Sequence, residues 1–65
     1  MNAREMIKLL REHGFVFVSQ AGSHAKFRKG KMQVVVPMHN GDLKLGTAKS
    51  ILKQAGIENY TIKRS

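Results

Sequence analysis

Three short β-type segments follow one another between residues 15 and 37, and the stretches that connect them are very short. FVFVSQ (15–20) is aromatic and β-branched, HAKFRK (24–29) alternates strictly, and MQVVVP (32–37) ends at a proline, which cannot donate to a ladder. The connecting stretches, AGS and GK, each contain a glycine suited to a turn. Connections this short join antiparallel neighbours, because a parallel pair needs a crossover of a dozen or more residues. The sequence therefore predicts a three-stranded antiparallel meander.

An amphipathic helix is predicted before the meander. Asn2 and Glu5 have the spacing of a capping box. Apolar residues then recur at helical spacing, and Gly14 is a natural C-terminal stop. These features predict a helix over residues 3–13.

A second helix is predicted after the meander. TAKSILKQAG (47–56) places its apolar residues on one face and ends in a glycine, and the loop MHNGDLKLG (38–46) separates it from the sheet. The tail IENYTIKRS (57–65) alternates weakly, which is consistent with a short extra strand or a loosely held end. The predicted order is α-β-β-β-α, an α+β fold in which two helices cover one face of the sheet.

The chain is short enough to hold one domain, residues 1–65. A hydrophobic fraction of 42% is enough for one small core. Cysteine is absent, so the prediction includes neither a disulfide framework nor a thiolate metal site, in keeping with a reducing cytosol. We see no secretory signal and no apolar run long enough to span a membrane.

The charge balance is the strongest global signal in the sequence. Twelve Lys and Arg residues against four acidic ones give a formal net charge of +8, which predicts attraction to a polyanion. A charge that merely aids solubility is the plainer interpretation. Binding to an anionic membrane is less favoured, because no predicted helix combines a basic face with large aromatic anchors.

One strand places three chemically useful side chains on the same side. Successive strand residues point to opposite faces, so His24, Lys26 and Arg28 share one face and Ala25 and Phe27 share the other. Since the phenylalanine belongs under the helices, the histidine and its two cationic neighbours are expected to face water. By default such a histidine is a solvated residue. A polyanion held by the two cations would nevertheless lie across its imidazole, whose ordinary pKa of about 6.5 suits proton transfer at neutral pH.

Other motifs carry less weight. The histidines lack metal-ligand spacing, and no phosphate-binding loop of the G-x-x-x-x-G-K-[ST] type occurs. Ser23 and His24 do not form a hydrolytic pair by adjacency alone, because neighbouring strand side chains diverge. His13 is expected to interact with the dipole of the first helix, and His39, in the long loop, could assist His24.

The run from Gly14 to Ile57 resembles the HicA-type (YcfA-like) toxins of bacterial and archaeal toxin–antitoxin pairs. The matching pieces are GF, GSHAKF, VVVPMHN and DLKLGTAKSILKQAGI, and the combination of GSH with the last of these is specific. The departure is the C-terminal ENYTIKRS, which stands where an acidic, helical continuation is expected.

The resemblance implies a fold like that of double-stranded-RNA-binding domains, with the same α-β-β-β-α order. It implies a cytoplasmic mRNA interferase, an endoribonuclease that inhibits translation and growth, with His24 as the catalytic residue and a HicB-type antitoxin as the partner. We expect it to need neither metal nor cofactor. The residues expected to bind RNA are Ser23, Lys26, Arg28, Lys44, Lys49 and Lys53.

Two further readings stay open beside this one. The first is an RNA-binding module of the same fold that lacks catalysis and reads A-form shape through its cations. The second, a DNA-binding role, is less favoured because no helix shows a pattern of polar base-reading residues.

Overall fold

The computed structural model describes residues 1–38 and 41–57, and these form two helices and one three-stranded sheet. The order is the predicted α-β-β-β-α. In chain order the elements are α1 (Ala3–Glu12), β1 (Val16–Ala21), β2 (His24–Lys29), β3 (Met32–Pro37) and α2 (Leu45–Gln54).

The sheet is the predicted antiparallel meander, with β2 in the centre and β1 and β3 at its edges. The glycines of the two turns, Gly22 and Gly30, have φ of 57° and 59°, a region that suits glycine. The register between β2 and β3 is regular from His24 opposite Pro37 to Lys29 opposite Met32. The register between β1 and β2 shifts once, between Phe17 and Ser19.

One face of the sheet is buried under both helices. Its central side chains are Ala25 and Phe27 of β2 with Val34 and Val36 of β3, and each is at most 2% exposed. The helices contribute most of the remaining core residues, which are Ala3, Met6, Leu9 and Leu10 of α1 and Ala48, Ile51 and Leu52 of α2. Buried and more exposed side chains alternate along β2 and β3, so the helices cover a single face of the sheet, as predicted.

The first helix begins as expected and ends one residue early. The Asn2 side chain accepts from the Glu5 backbone N–H at 2.9 Å, and the Glu5 carboxylate accepts from the Asn2 backbone N–H at 3.0 Å, so the capping box is confirmed. The helix ends at Glu12, where residues 3–13 were predicted. Gly14 then turns with φ of 93°, and the N–H of Phe15 donates to Leu10. This closure places the Phe15 ring in the core.

The second helix begins two residues before the predicted segment. It runs from Leu45 to Gln54, whereas the sequence predicts a helix that begins at Thr47 and stops at Gly56. Gly46, which disfavours helix, lies in the first turn, and Lys44 is the N-cap without a side-chain hydrogen bond. Gly56 has φ of 72° and terminates the helix as expected. The tail, for which the sequence predicts a short extra strand or a loosely held end, lies beyond Ile57 and outside the described residues.

No helix in the described ranges is long and apolar enough to cross a bilayer.

Candidate active site on the open face of the sheet

The face of the sheet that the helices leave uncovered carries the three predicted residues of β2. His24 and Arg28 are exposed and Lys26 is half-buried, whereas Ala25 and Phe27 between them are buried. The strand spaces alternate residues by about 6.6–6.8 Å, so Lys26 follows His24 at that distance and Arg28 lies about twice as far away. We call His24, Lys26 and Arg28 the basic row.

Small or rigid side chains flank His24. Its cross-strand neighbours are Ala21 on β1 and Pro37 on β3. Directly opposed side chains point to the same face of a sheet, so a methyl group and a proline ring stand on the two sides of the imidazole. The Ser23 carbonyl accepts the N–H of Met38, which ties the β1–β2 turn to the end of β3 beside the histidine. The backbone around His24 is therefore hydrogen-bonded on both sides, while neither neighbour is large enough to cover its ring.

The two cations of the basic row have mixed surroundings. Lys26 lies between Ser19 and Val35, and Arg28 lies between Val16 and Gln33. The lysine stem can pack along the valine and keep its ammonium group in water, which explains why Lys26 is only half-buried.

Ser19 is a member of this face that sequence reasoning missed. Phe17 opposes Phe27, so simple alternation would turn Ser19 towards the helices. The β-bulge at Val18 adds one residue to β1, and Ser19 therefore opposes Lys26 on the open face. No turn residue or glycine marks the bulge in FVFVS, so the sequence offers no signal for it.

The open face has a strongly one-sided electrostatic character. No Asp or Glu occurs between Glu12 and Asp42, a stretch that includes all three strands and both turns. Lys29 belongs to the same stretch, but its Nζ lies 6.0 Å from the Phe15 ring centroid, towards the helical side. The positive charge that the three strands place on the open face thus comes from the basic row, with no carboxylate on these strands to neutralise it.

The remaining predicted residues are spread over other parts of the domain. Lys44 lies at the start of α2 beside Pro37, where both line one cavity. Lys49 and Lys53 are exposed on α2, in the layer that covers the opposite face of the sheet. Ser23 is half-buried in the turn next to His24. His39 lies outside the described residues.

His13 is held in a structural role at the end of α1. Its Nδ1 donates to the Leu9 carbonyl oxygen at 2.9 Å, one of the last carbonyls of the helix, as the predicted interaction with the helix end requires. Within residues 1–38 and 41–57 we find no group of three His, Asp or Glu side chains placed to hold a metal ion.

Comparison with known protein families identifies the class to which this arrangement belongs. The family model described as the HicA toxin of bacterial toxin–antitoxin systems matches residues 3–57, which run from the first residue of α1 to the last described residue. The chain belongs to the HicA toxin family. Membership assigns it a toxin role in a toxin–antitoxin pair. The matched residues include the whole basic row and all five elements of the α-β-β-β-α fold. A search of curated proteins gives no match.

Proposed function

We propose that this HicA-family chain is a metal-independent endoribonuclease that cleaves mRNA in the cytoplasm and so inhibits translation and growth. Residues 1–65 act as a single domain in this proposal. The observation that carries it is the basic row: an exposed histidine followed by two cations on the uncovered face of a sheet whose strands contain no carboxylate. Such a surface attracts a phosphate backbone and brings it across an imidazole.

The proposed reaction uses the RNA's own 2′-hydroxyl as the nucleophile. Its oxygen forms a bond to the adjacent phosphorus while the bond from phosphorus to the 5′-oxygen breaks. This leaves a 2′,3′-cyclic phosphate on one product and a 5′-hydroxyl on the other. His24 takes the proton from the 2′-hydroxyl or gives one to the departing 5′-oxygen, a role worth about 10²–10⁴ in rate.

The cations of the basic row complete the proposed chemistry. Lys26 or Arg28 stabilises the additional negative charge that develops on the phosphoryl oxygens in the transition state. Lys26 is opposed by Ser19 on β1 and by Val35 on β3, so its side chain leaves the sheet from the central strand. One histidine does not carry out both proton transfers at once, so His39 or a water molecule supplies the second.

The proposed partner is a HicB-type antitoxin. An acidic protein surface would be steered to the basic row by the same field that attracts RNA, and would then cover His24. None of the residues of β1, β2 and β3 is acidic, so no carboxylate on these three strands opposes the approach of an acidic partner.

The test is cleavage of end-labelled RNA in excess chelator by the wild type and by His24→Ala. The imidazole is exposed, so the substitution is expected to leave the free energy of unfolding within about 0.5 kcal/mol of the wild-type value. It is expected to reduce cleavage by about 10²-fold or more. His13→Gln is the matched control, because that histidine lies on the other layer, and it should cleave like the wild type. Binding of RNA by the wild type without cleavage would instead support an RNA-binding module that lacks catalysis.

A further inference from the structure

A cavity lies at the junction between the end of β3 and the start of α2. Its volume is about 420 Å³, within the usual range of about 300–1,000 Å³ for small-molecule sites. It is lined by Pro37, Asp42, Leu43, Lys44 and Thr47. A single planar nucleobase is small enough to enter it.

Pro37 links the cavity to the position of His24. Pro37 opposes His24 across the β2–β3 ladder, and the Cβ atoms of such a pair are about 4.5–5.5 Å apart. The same proline lines the cavity, which therefore begins about one strand spacing, ~4.8 Å, beyond the strand that carries the histidine. A nucleotide whose phosphate lies at His24 can extend its base over Pro37 into this space.

The lining suits one chemical class of ligand. The Pro37 ring and the Leu43 side chain offer apolar surface to the flat face of a base. Thr47 and Asp42 also line the cavity, and their side chains carry a hydroxyl and a carboxylate that can hydrogen-bond the edge of a base. A carboxylate accepts from the exocyclic amino group of cytosine or adenine, and it has several lone-pair sites, so it can do so while it keeps another interaction.

We propose that this cavity is a nucleobase subsite that selects, next to the scissile phosphate, a base bearing an exocyclic amino group over uracil. The proposal rests on the proposed RNA substrate and adds a source of sequence preference to it. A second depression of about 320 Å³, lined by Lys49, Leu52, Lys53 and Ile57, lies in the helical layer away from His24. Its lining residues include neither a carboxylate nor a hydroxyl, so it offers no comparable selection.

Binding is tested first, without dependence on cleavage. The His24→Ala variant is titrated with cytidine 3′-monophosphate and, separately, with uridine 3′-monophosphate, while backbone amide shifts are followed by NMR. We expect shifts centred on Leu43, Lys44 and Thr47, and a dissociation constant at least about fivefold lower for the cytidine nucleotide. Shifts spread over the lysine and arginine residues without preference between the two nucleotides would overturn the subsite. The absence of shifts at the cavity residues with either nucleotide would also overturn it.

Cleavage tests the same preference in the active protein. With RNAs that differ only in the base next to the scissile phosphate, the kcat/KM ratio of cytosine to uracil is expected to fall towards one in Asp42→Asn and in Thr47→Val. Ser50→Ala, an exposed hydroxyl on the same helix, should keep the wild-type ratio. An unchanged ratio in both cavity variants would refute the selection. Localised nucleotide binding in a protein that never cleaves RNA would refute the nuclease proposal and support the subsite.

Discussion

In the proposed function, RNA binding depends on the basic row, and a double charge substitution measures its contribution. Lys26→Gln with Arg28→Gln removes both cations and keeps much of each side-chain stem, so the packing of Lys26 beside Val35 is largely retained. The variant is made in a His24→Ala background, so that RNA binding is measured without cleavage.

The expected magnitude follows from counterion release. Each phosphate contact contributes about 0.7 to the slope of log K against log salt for a single strand, so losing two contacts lowers the slope by about 1.4. If counterion release contributes nothing at about 1 M salt, this slope gives a loss of affinity of about 25-fold at 0.1 M, which is about 2 kcal/mol. Fluorescence anisotropy of a labelled RNA, at salt concentrations from about 50 to about 200 mM, measures both quantities.

The control is a second double variant with the same change in net charge. Arg4→Gln with Lys8→Gln removes two exposed cations from α1, on the other side of the domain, and each variant lowers the formal charge of +8 by two. We expect its slope to stay close to that of the parent. Equal losses of slope in the two double variants would show that overall charge, and not the basic row, governs binding, and the proposed orientation of RNA would be wrong.

Three further predictions follow from the packing and the charge distribution. Phe27→Ala, at a side chain 2% exposed in the centre of the core, should cost about 3–5 kcal/mol in the free energy of unfolding measured with urea, and a loss below 1 kcal/mol would contradict the burial described. Asn2→Ala removes one half of the capping box and should cost about 1 kcal/mol in the same assay, so unchanged stability would mean that the cap does not form in solution. The Lys26 and Arg28 double variant should associate with a HicB-type antitoxin several-fold more slowly than the wild type at low salt, as stopped-flow mixing would show; an equal association rate would exclude steering by the basic row.

Much of the fold could be predicted because local signals agree with one another along the chain. The bounds of β2 and β3 match the prediction, since strict alternation in HAKFRK and the terminal Pro37 define them. The start of α2 was misplaced for a physical reason. Gly46 has low helix propensity, yet burial of Ala48 and Ile51 against the sheet stabilises a helix that begins before it.

The candidate site was only partly accessible from sequence. The shared face of the three residues in the basic row could be predicted from the two-residue period of a strand alone. The bulge at Val18, which brings Ser19 to the open face, depends on the pairing of two strands, and no local propensity reports it. The cavity is likewise a tertiary feature, since Pro37 and Thr47 belong to different elements and meet only after α2 packs on β3.

In the proposed mechanism the 2′-hydroxyl of the RNA attacks the adjacent phosphorus, and His24 transfers a proton. The most direct measurement is cleavage of an RNA that carries a single 2′-deoxy substitution at the scissile nucleotide, compared with the unmodified RNA under identical conditions. We expect the deoxy substrate to bind with nearly the same affinity and to stay uncut, while the unmodified RNA yields a 2′,3′-cyclic phosphate and a 5′-hydroxyl. Cleavage of the deoxy substrate at the normal rate would contradict this mechanism and would require a water nucleophile in place of the 2′-hydroxyl.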